Sequence, residues 1–140
     1  MPPPAVVLDT NVVVSAHLNP NGLERFVLDL AINRKLSLCC SESILAEYEG
    51  VLSRPRFRIS SAKISDSMAL IRTSRNLVIP KRRLQIALDP GDNIFLECAE
   101  AARAHYLVTG NKRHFPEVWK STRIVNAREL LEEVIPDLQR

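Results

Sequence analysis

Four side chains with oxygen donors fall where a parallel α/β sheet would gather them. Asp9 directly follows the apolar run Ala5 to Leu8. Asn111 comes two residues after a second such run, Tyr106 to Thr109, across Gly110. Glu47 lies one turn into the helix expected after the run Leu36 to Cys40. Asp92 lies in the first turn of the helix that leads into the Tyr106 run. Open parallel sheets bind ligands outside the carboxyl ends of their strands, so the four converge on one edge. All-oxygen ligands without cysteine or histidine suit magnesium or manganese over zinc. Carboxylates holding one or two such ions make a phosphodiester-cleaving site that needs no covalent nucleophile.

Each position also has a plainer use. Asp9 is placed to cap a helix starting near Asn11, but Thr10 and Asn11 are themselves capping types, which frees Asp9 for a ligand. Glu47 is three residues after Ile44 and four before Val51, and so is expected on the buried helix face. A carboxylate there is costly unless paired or metal-bound; the alternative is a flank position with its head group in solvent. Asp92, at N3 behind Asp89 as cap, would complement the helix dipole; proximity to Asp9 in the implied fold favours the ligand role. Glu97, three residues after Ile94, is a secondary candidate that either faces the same pocket or pairs with a basic residue. Asn11, Ser15, Asp89 and Thr109 are secondary candidates too, Ser15 through a water. His17, His105 and His114 lack metal-ligand spacing such as HxxxH and are expected on surfaces or loops.

The elements that must position these residues alternate. Ala5–Leu8 reads as a strand buried on both faces. Asn19-Pro20-Asn21-Gly22 is a turn. Leu23 to Asn33 has helical spacing, with Leu23, Phe26, Val27, Leu30 and Ala31 inward. Leu36 to Cys40 is a strand. The next helix, capped by Ser41 or Ser43, carries Ile44, Leu45, Tyr48, Val51 and Leu52 on one stripe and ends at Arg54-Pro55. Ser61 to Arg75 is a helix with Ile64, Met68 and Ile71 inward, and Leu77 to Ile79 a short strand. Asp89-Pro90-Gly91-Asp92 opens a helix through Ala104. Strands follow at Tyr106–Thr109 and Ile124–Val125, and Asn126 with Glu129 forms a capping box for the last helix. Strand–helix alternation predicts an α/β fold, a three-layer α/β/α sandwich around a mainly parallel sheet.

The 140 residues suit one domain, with 46% hydrophobic and 25% charged residues typical of a soluble globular chain. Residues 1–4 read as a short extended tail, 5–135 as the domain and 136–140 as a C-terminal tail. Net charge is +3 and pI about 9.0, which permits a polyanionic partner without demanding one. The basic clusters Arg54/Arg56/Arg58, Lys81-Arg82-Arg83 and Lys112-Arg113 are expected to flank the acidic pocket and guide phosphates. With one Trp and two Tyr, base stacking is expected to contribute little. Cys39, Cys40 and Cys98 make a poor disulfide framework and no CxxC, so buried free thiols and a reducing cytoplasm are expected. Met1-Pro2-Pro3-Pro4 does not look like a signal peptide, and no apolar run approaches the ~20 residues of a membrane span.

Together, Val7-Leu8-Asp9-Thr10-Asn11-Val12, Ser43-Ile44-Leu45-Ala46-Glu47-Tyr48, Asp89-Pro90-Gly91-Asp92-Asn93 with Phe95-Leu96-Glu97-Cys98-Ala99, and Tyr106-Leu107-Val108-Thr109-Gly110-Asn111 resemble the PIN domain, and more closely its branch of toxins of toxin–antitoxin systems. Each motif alone is weak; four in order at the right spacing is a specific signal. The resemblance spans about Ala5 to Leu131. It implies a Mg2+- or Mn2+-dependent ribonuclease, commonly a homodimer and commonly neutralised by a small antitoxin. It places the family's metal-binding acids on Asp9, Glu47 and Asp92. The fourth acidic position falls on Asn111, which keeps an oxygen donor and loses a charge, so that Glu97 or Asp89 would have to compensate. That departure motivates the competing expectation of a non-catalytic PIN module binding RNA or a protein partner. A phosphotransferase of the haloacid-dehalogenase kind also places an aspartate after the first strand, but wants a second acid two residues on, where this chain has Asn11.

Overall fold

The computed structural model describes residues 2–135; the expected tail at 136–140 lies outside them. A six-stranded sheet runs in the order β3-β2-β1-β4-β6-β5. Its strands are β1 (Ala5–Leu8), β2 (Ser37–Cys40), β3 (Asn76–Leu77), β4 (Tyr106–Val108), β5 (Val118–Trp119) and β6 (Thr122–Val125). All neighbouring pairs are parallel except β5 with β6. Among the described residues six α-helices accompany them: α1 (Thr10–Leu18), α2 (Leu23–Ile32), α3 (Glu42–Leu52), α4 (Ser61–Ser74), α5 (Asn93–Ala102) and α6 (Ala127–Val134).

Val6, Val7 and Leu8 are all fully buried. Successive strand side chains point to opposite faces, so β1 is covered on both sides, as its unbroken apolar run predicts. Helix α5 packs on β1, β2 and β4, while α6 packs on β4 and β6. The result is a three-layer α/β/α sandwich with a mainly parallel sheet.

The local signals act where they are expected, with shifts at the ends. Ser41, not Ser43, caps α3 by accepting from the Ile44 amide at 3.2 Å. Asn126 and Glu129 form the reciprocal capping box of α6, at 2.8 and 2.9 Å. Ile64, Met68 and Ile71 face inward from α4, and all three cysteines are buried free thiols.

Three expectations need correction. The expected strand Leu77–Ile79 survives only as β3, because Val78 donates to the Cys40 carbonyl and the chain then leaves the sheet edge with Ile79 exposed. The helix expected from Asp89 through Ala104 is a 3-10 turn at Pro90–Asp92 followed by α5, which ends where Arg103 takes a left-handed conformation, φ 51°. Phe26, expected inward, is 40% exposed; Leu28 is buried in its stead. The antiparallel β5–β6 hairpin carries no strong turn signature in sequence. No helix among the described residues is long and apolar enough to cross a membrane.

Candidate functional site

Strand β1 sits between β2 and β4, so the connections leaving β1 and β4 part in different directions at their carboxyl ends. Such a reversal opens a crevice, and Asp9 stands at its floor. Asp9 is 5% exposed. Its amide donates to the Val108 carbonyl at 2.9 Å, which ties the end of β1 to the end of β4. Asp9 occupies the N-cap position of α1, yet its side chain makes no capping bond. Thr10 and Asn11, read from sequence as alternative caps, lie inside the first turn instead.

The Asp9 carboxylate is held from the side. Thr109 Oγ1 donates to Asp9 Oδ2 at 2.7 Å, and Asn11 Nδ2 donates to the same oxygen at 3.0 Å. Asn11 Oδ1 accepts from the Gly110 amide at 3.1 Å, and Thr109 Oγ1 accepts from the Asn111 amide at 3.0 Å. This network locks the ends of β1 and β4 together and, among the described residues, leaves Asp9 Oδ1 without a side-chain donor. Burial pushes the Asp9 carboxyl above its ordinary pKa, against the hydrogen bonds that favour its charged form.

A cavity of ≈ 340 Å³ opens above Asp9. Asp9, Asn11, Ser15, Glu47, Asp89, Asp92, Asn111 and His114 line it, together with Arg54, Arg56 and Phe57. Five elements and their connections thus deliver one site. Asp92 sits at the N-cap of α5 without a capping bond, while Asp89 caps the preceding 3-10 turn by accepting from the Gly91 amide at 2.9 Å. Burial pushes the Asp92 carboxyl up to about 6, with Asp9, Asp89 and Glu47 adding repulsion and His114 opposing it. His114 Nδ1 lies 3.7 Å from Asp92 Oδ2.

Glu47 reaches the cavity by a different route from the one expected. It is exposed, because the buried stripe of α3 runs through Ile44, Leu45, Tyr48 and Leu52 and leaves Glu47 on its margin. The anchoring residue on that face is Tyr48, whose buried hydroxyl donates to the Leu8 carbonyl. Helix α3 is thereby pinned to the end of β1, next to Asp9.

Glu97 is not brought to the cavity. Its Oε2 accepts from the Leu84 amide at 2.9 Å, so it fastens the connection between β3 and α5. Thr109 is buried behind Asp9 and does not line the cavity. Asn111 lines it with no capping hydrogen bond from its side chain, so its amide is free to face the site.

Among the described residues, no three of the His, Cys, Asp and Glu side chains are gathered tightly enough to hold one ion between them. Asp9, Glu47 and Asp92, the three acids expected at a metal, nonetheless line the same cavity. The donor set still fits a hard cation. Magnesium keeps several waters and takes one or two carboxylates directly, and the site offers only oxygen donors besides His114.

Two side chains carried no signal in spacing. His114 enters the cavity because a 3-10 turn at Lys112–His114 folds the chain back after Asn111. Asn93, buried on α5, accepts the Ile86 and Ala87 amides at 3.0 and 2.8 Å and donates to the Pro90 carbonyl at 3.1 Å. It holds the connection that carries Asp89 and Asp92. The basic clusters divide. Arg54 and Arg56 line the cavity. Lys112 is engaged by Glu129 at 2.8 Å, and Arg82 is held by Glu100 in a separate cavity with Lys81, Arg103 and Lys120.

Comparison with known proteins agrees with this fold. Uncharacterized protein MJ1680 of Methanocaldococcus jannaschii is 31% identical over 110 residues, which are 76% of this chain and 70% of that protein. The crystal structure of VapBC2 from Rickettsia felis, bound to a DNA fragment from their promoter, contains a chain that superposes with a TM-score of 0.56 at 17% identity, covering 86% of this chain and 98% of that one. The PIN domain family model matches residues 5–113. The chain belongs to the PIN domain family.

Proposed function

We propose that this chain is a magnesium- or manganese-dependent endoribonuclease and the toxin component of a toxin–antitoxin module. The observation that carries the reading is the buried Asp9, fixed through Oδ2 by Thr109 and Asn11, at the floor of a cavity that Glu47, Asp92 and Asn111 also line. Family membership supports nuclease chemistry. The toxin assignment rests on the sequence resemblance and on the likeness of fold to a chain of VapBC2. A small antitoxin protein and a second copy of this chain are the proposed partners.

In this reading Asp9, Glu47 and Asp92 would hold the ion, and Asn111 would offer a neutral donor to a second one. A cation bound there lowers the pKa of water and neutralises charge building on phosphorus and the leaving oxygen. Asn11 and Thr109 keep the Asp9 carboxylate in one orientation. Asp89 adds negative charge at the rim, and Ser15 offers a hydroxyl to a water. Arg54 and Arg56 draw the phosphate backbone in, so that binding falls steeply with salt.

The test is cleavage of single-stranded RNA by the purified chain with manganese, with chelator, and with Asp9→Asn. Cleavage that needs manganese and disappears in Asp9→Asn supports the proposal. A chain that binds RNA but cleaves none under any metal condition is the non-catalytic module, a reading favoured by Asn111 in place of an acid.

A further inference from the structure

The cavity holds cations that its own acids do not use. Arg54 and Arg56 share its lining with Asp9, Glu47, Asp89 and Asp92. Among the described residues, neither guanidinium pairs with a carboxylate; the ion pairs there involve other basic residues. A guanidinium left unpaired beside several carboxylates is available to an anionic ligand.

Arg56 is also positioned by an aromatic ring. Its Cζ lies 4.9 Å from the Phe57 ring centroid. Phe57 is half-buried and packs against the core, while Arg56 is exposed. The guanidinium therefore lies over the ring and remains exposed on the cavity wall.

The segment is a hydrogen-bonded turn. Pro55 restricts its own φ and opens a 3-10 turn, closed by bonds from Phe57 N to Arg54 O and Arg58 N to Pro55 O, each 3.1 Å. Arg58 ends the turn at φ 53°, a left-handed conformation that side chains rarely adopt. A turn fixed at both ends holds Arg56 over Phe57 without help from a ligand.

Planar guanidinium groups stack on nucleobases, and unpaired bases are the ones free to be stacked. We infer that Arg56, laid over Phe57, is a stacking subsite for one unpaired nucleobase beside the candidate metal centre, with Arg54 taking the adjoining phosphate. The inference rests on the nuclease reading and adds to it a preference for single-stranded nucleic acid, set by a base and not only by charge. Stacking here thus comes from an arginine and a phenylalanine, outside the Trp and Tyr on which the sequence expectation is based.

The test measures binding apart from cleavage, in full-length Asp9→Asn protein. The probes are a short fluorescein-labelled mixed-sequence RNA, the same strand annealed to its complement, and a set of strands each carrying one abasic position. Arg56→Lys keeps the charge and loses the plane. It is expected to weaken single-strand binding on the order of tenfold, with duplex binding unchanged. One abasic position is expected to weaken binding by the protein that retains Arg56 and to make no difference to Arg56→Lys. Arg54→Ala is expected to lower the salt slope by about 1 while keeping the single-strand preference. Phe57→Leu should lose the preference as Arg56→Lys does; should it fold poorly, the exposed Arg56→Lys carries the test alone. Single-strand binding unaltered by Arg56→Lys, or indifference to every abasic position, overturns the stacking subsite while leaving the nuclease reading intact. Absence of RNA binding at low salt overturns both.

Discussion

Thr109 Oγ1 donates to Asp9 Oδ2 at 2.7 Å across a sequence separation of 100 residues. Both residues are buried, one after β1 and the other after β4. A buried carboxylate that loses a donor keeps its desolvation cost, so Thr109→Val is expected to destabilise the metal-free protein by about 1–3 kcal/mol. It should weaken manganese binding as well, since Asp9 is then free to turn. Thr109→Ser, which retains the hydroxyl, should recover most of both losses. Urea unfolding in chelator and manganese titration by calorimetry check this; a Val variant as stable and as tight as wild type would show the bond to be idle.

Asn111 and Glu97 are competing candidates for a fourth metal-site residue, and their surroundings separate them. Asn111 lines the cavity, whereas Glu97 is occupied with the Leu84 amide. Asn111→Asp is expected to tighten manganese binding and raise RNA cleavage, with the gain largest at low metal concentration. Asn111→Ala should cost less activity than Asp9→Ala. Glu97→Gln should lower thermal stability and leave manganese affinity unchanged. The reverse pattern, metal affinity lost in Glu97→Gln and unaltered in Asn111→Asp, would falsify this assignment.

The raised pKa of Asp92 gives the metal-free protein a pH signature. The unfolded carboxyl titrates at its ordinary value of 3.8, whereas the folded one is pushed up to about 6 by burial first and by neighbouring acids second. Between those values the folded state binds more protons than the unfolded state. The stability contributed by protonated Asp92 is therefore fully present below 3.8 and is lost as pH rises through about 6. Thermal unfolding in chelator should show that decline, and Asp92→Asn should flatten it. Manganese should stabilise the wild type at neutral pH more than it stabilises Asp92→Asn. A wild-type profile as flat as that of the variant would count against the shift.

Asn93 binds three backbone groups of the segment that carries Asp89 and Asp92. Asn93→Leu leaves the Ile86 and Ala87 amides without their acceptor, at an expected cost of about 2 kcal/mol. Faster hydrogen exchange at those two amides, with unchanged exchange at Val6 and Val7, is the expected readout. Weaker manganese binding should accompany it, because Asp92 loses its support. Uniform acceleration across the sheet would mean that Asn93 serves global stability instead.

Sequence patterning alone determined the architecture and the placement of Asp9 at the end of β1. The unbroken run Val6-Val7-Leu8 demands cover on both faces, and an acid directly after it must emerge at the strand's carboxyl end. Capping chemistry at Ser41 and Asn126 is equally local and equally legible. Glu47, His114 and Glu97 were not decided locally. Helical periodicity places a residue on an arc, but the packing of Tyr48 against the end of β1 decides where that arc meets the core and leaves Glu47 exposed. His114 reaches the cavity through a turn with no spacing signature, and Glu97 is claimed by a loop amide from 13 residues away. Such contacts depend on loop paths set by the whole fold. Local propensity therefore supplied most of the strands and most of the acids, and only tertiary packing chose which of them face one another.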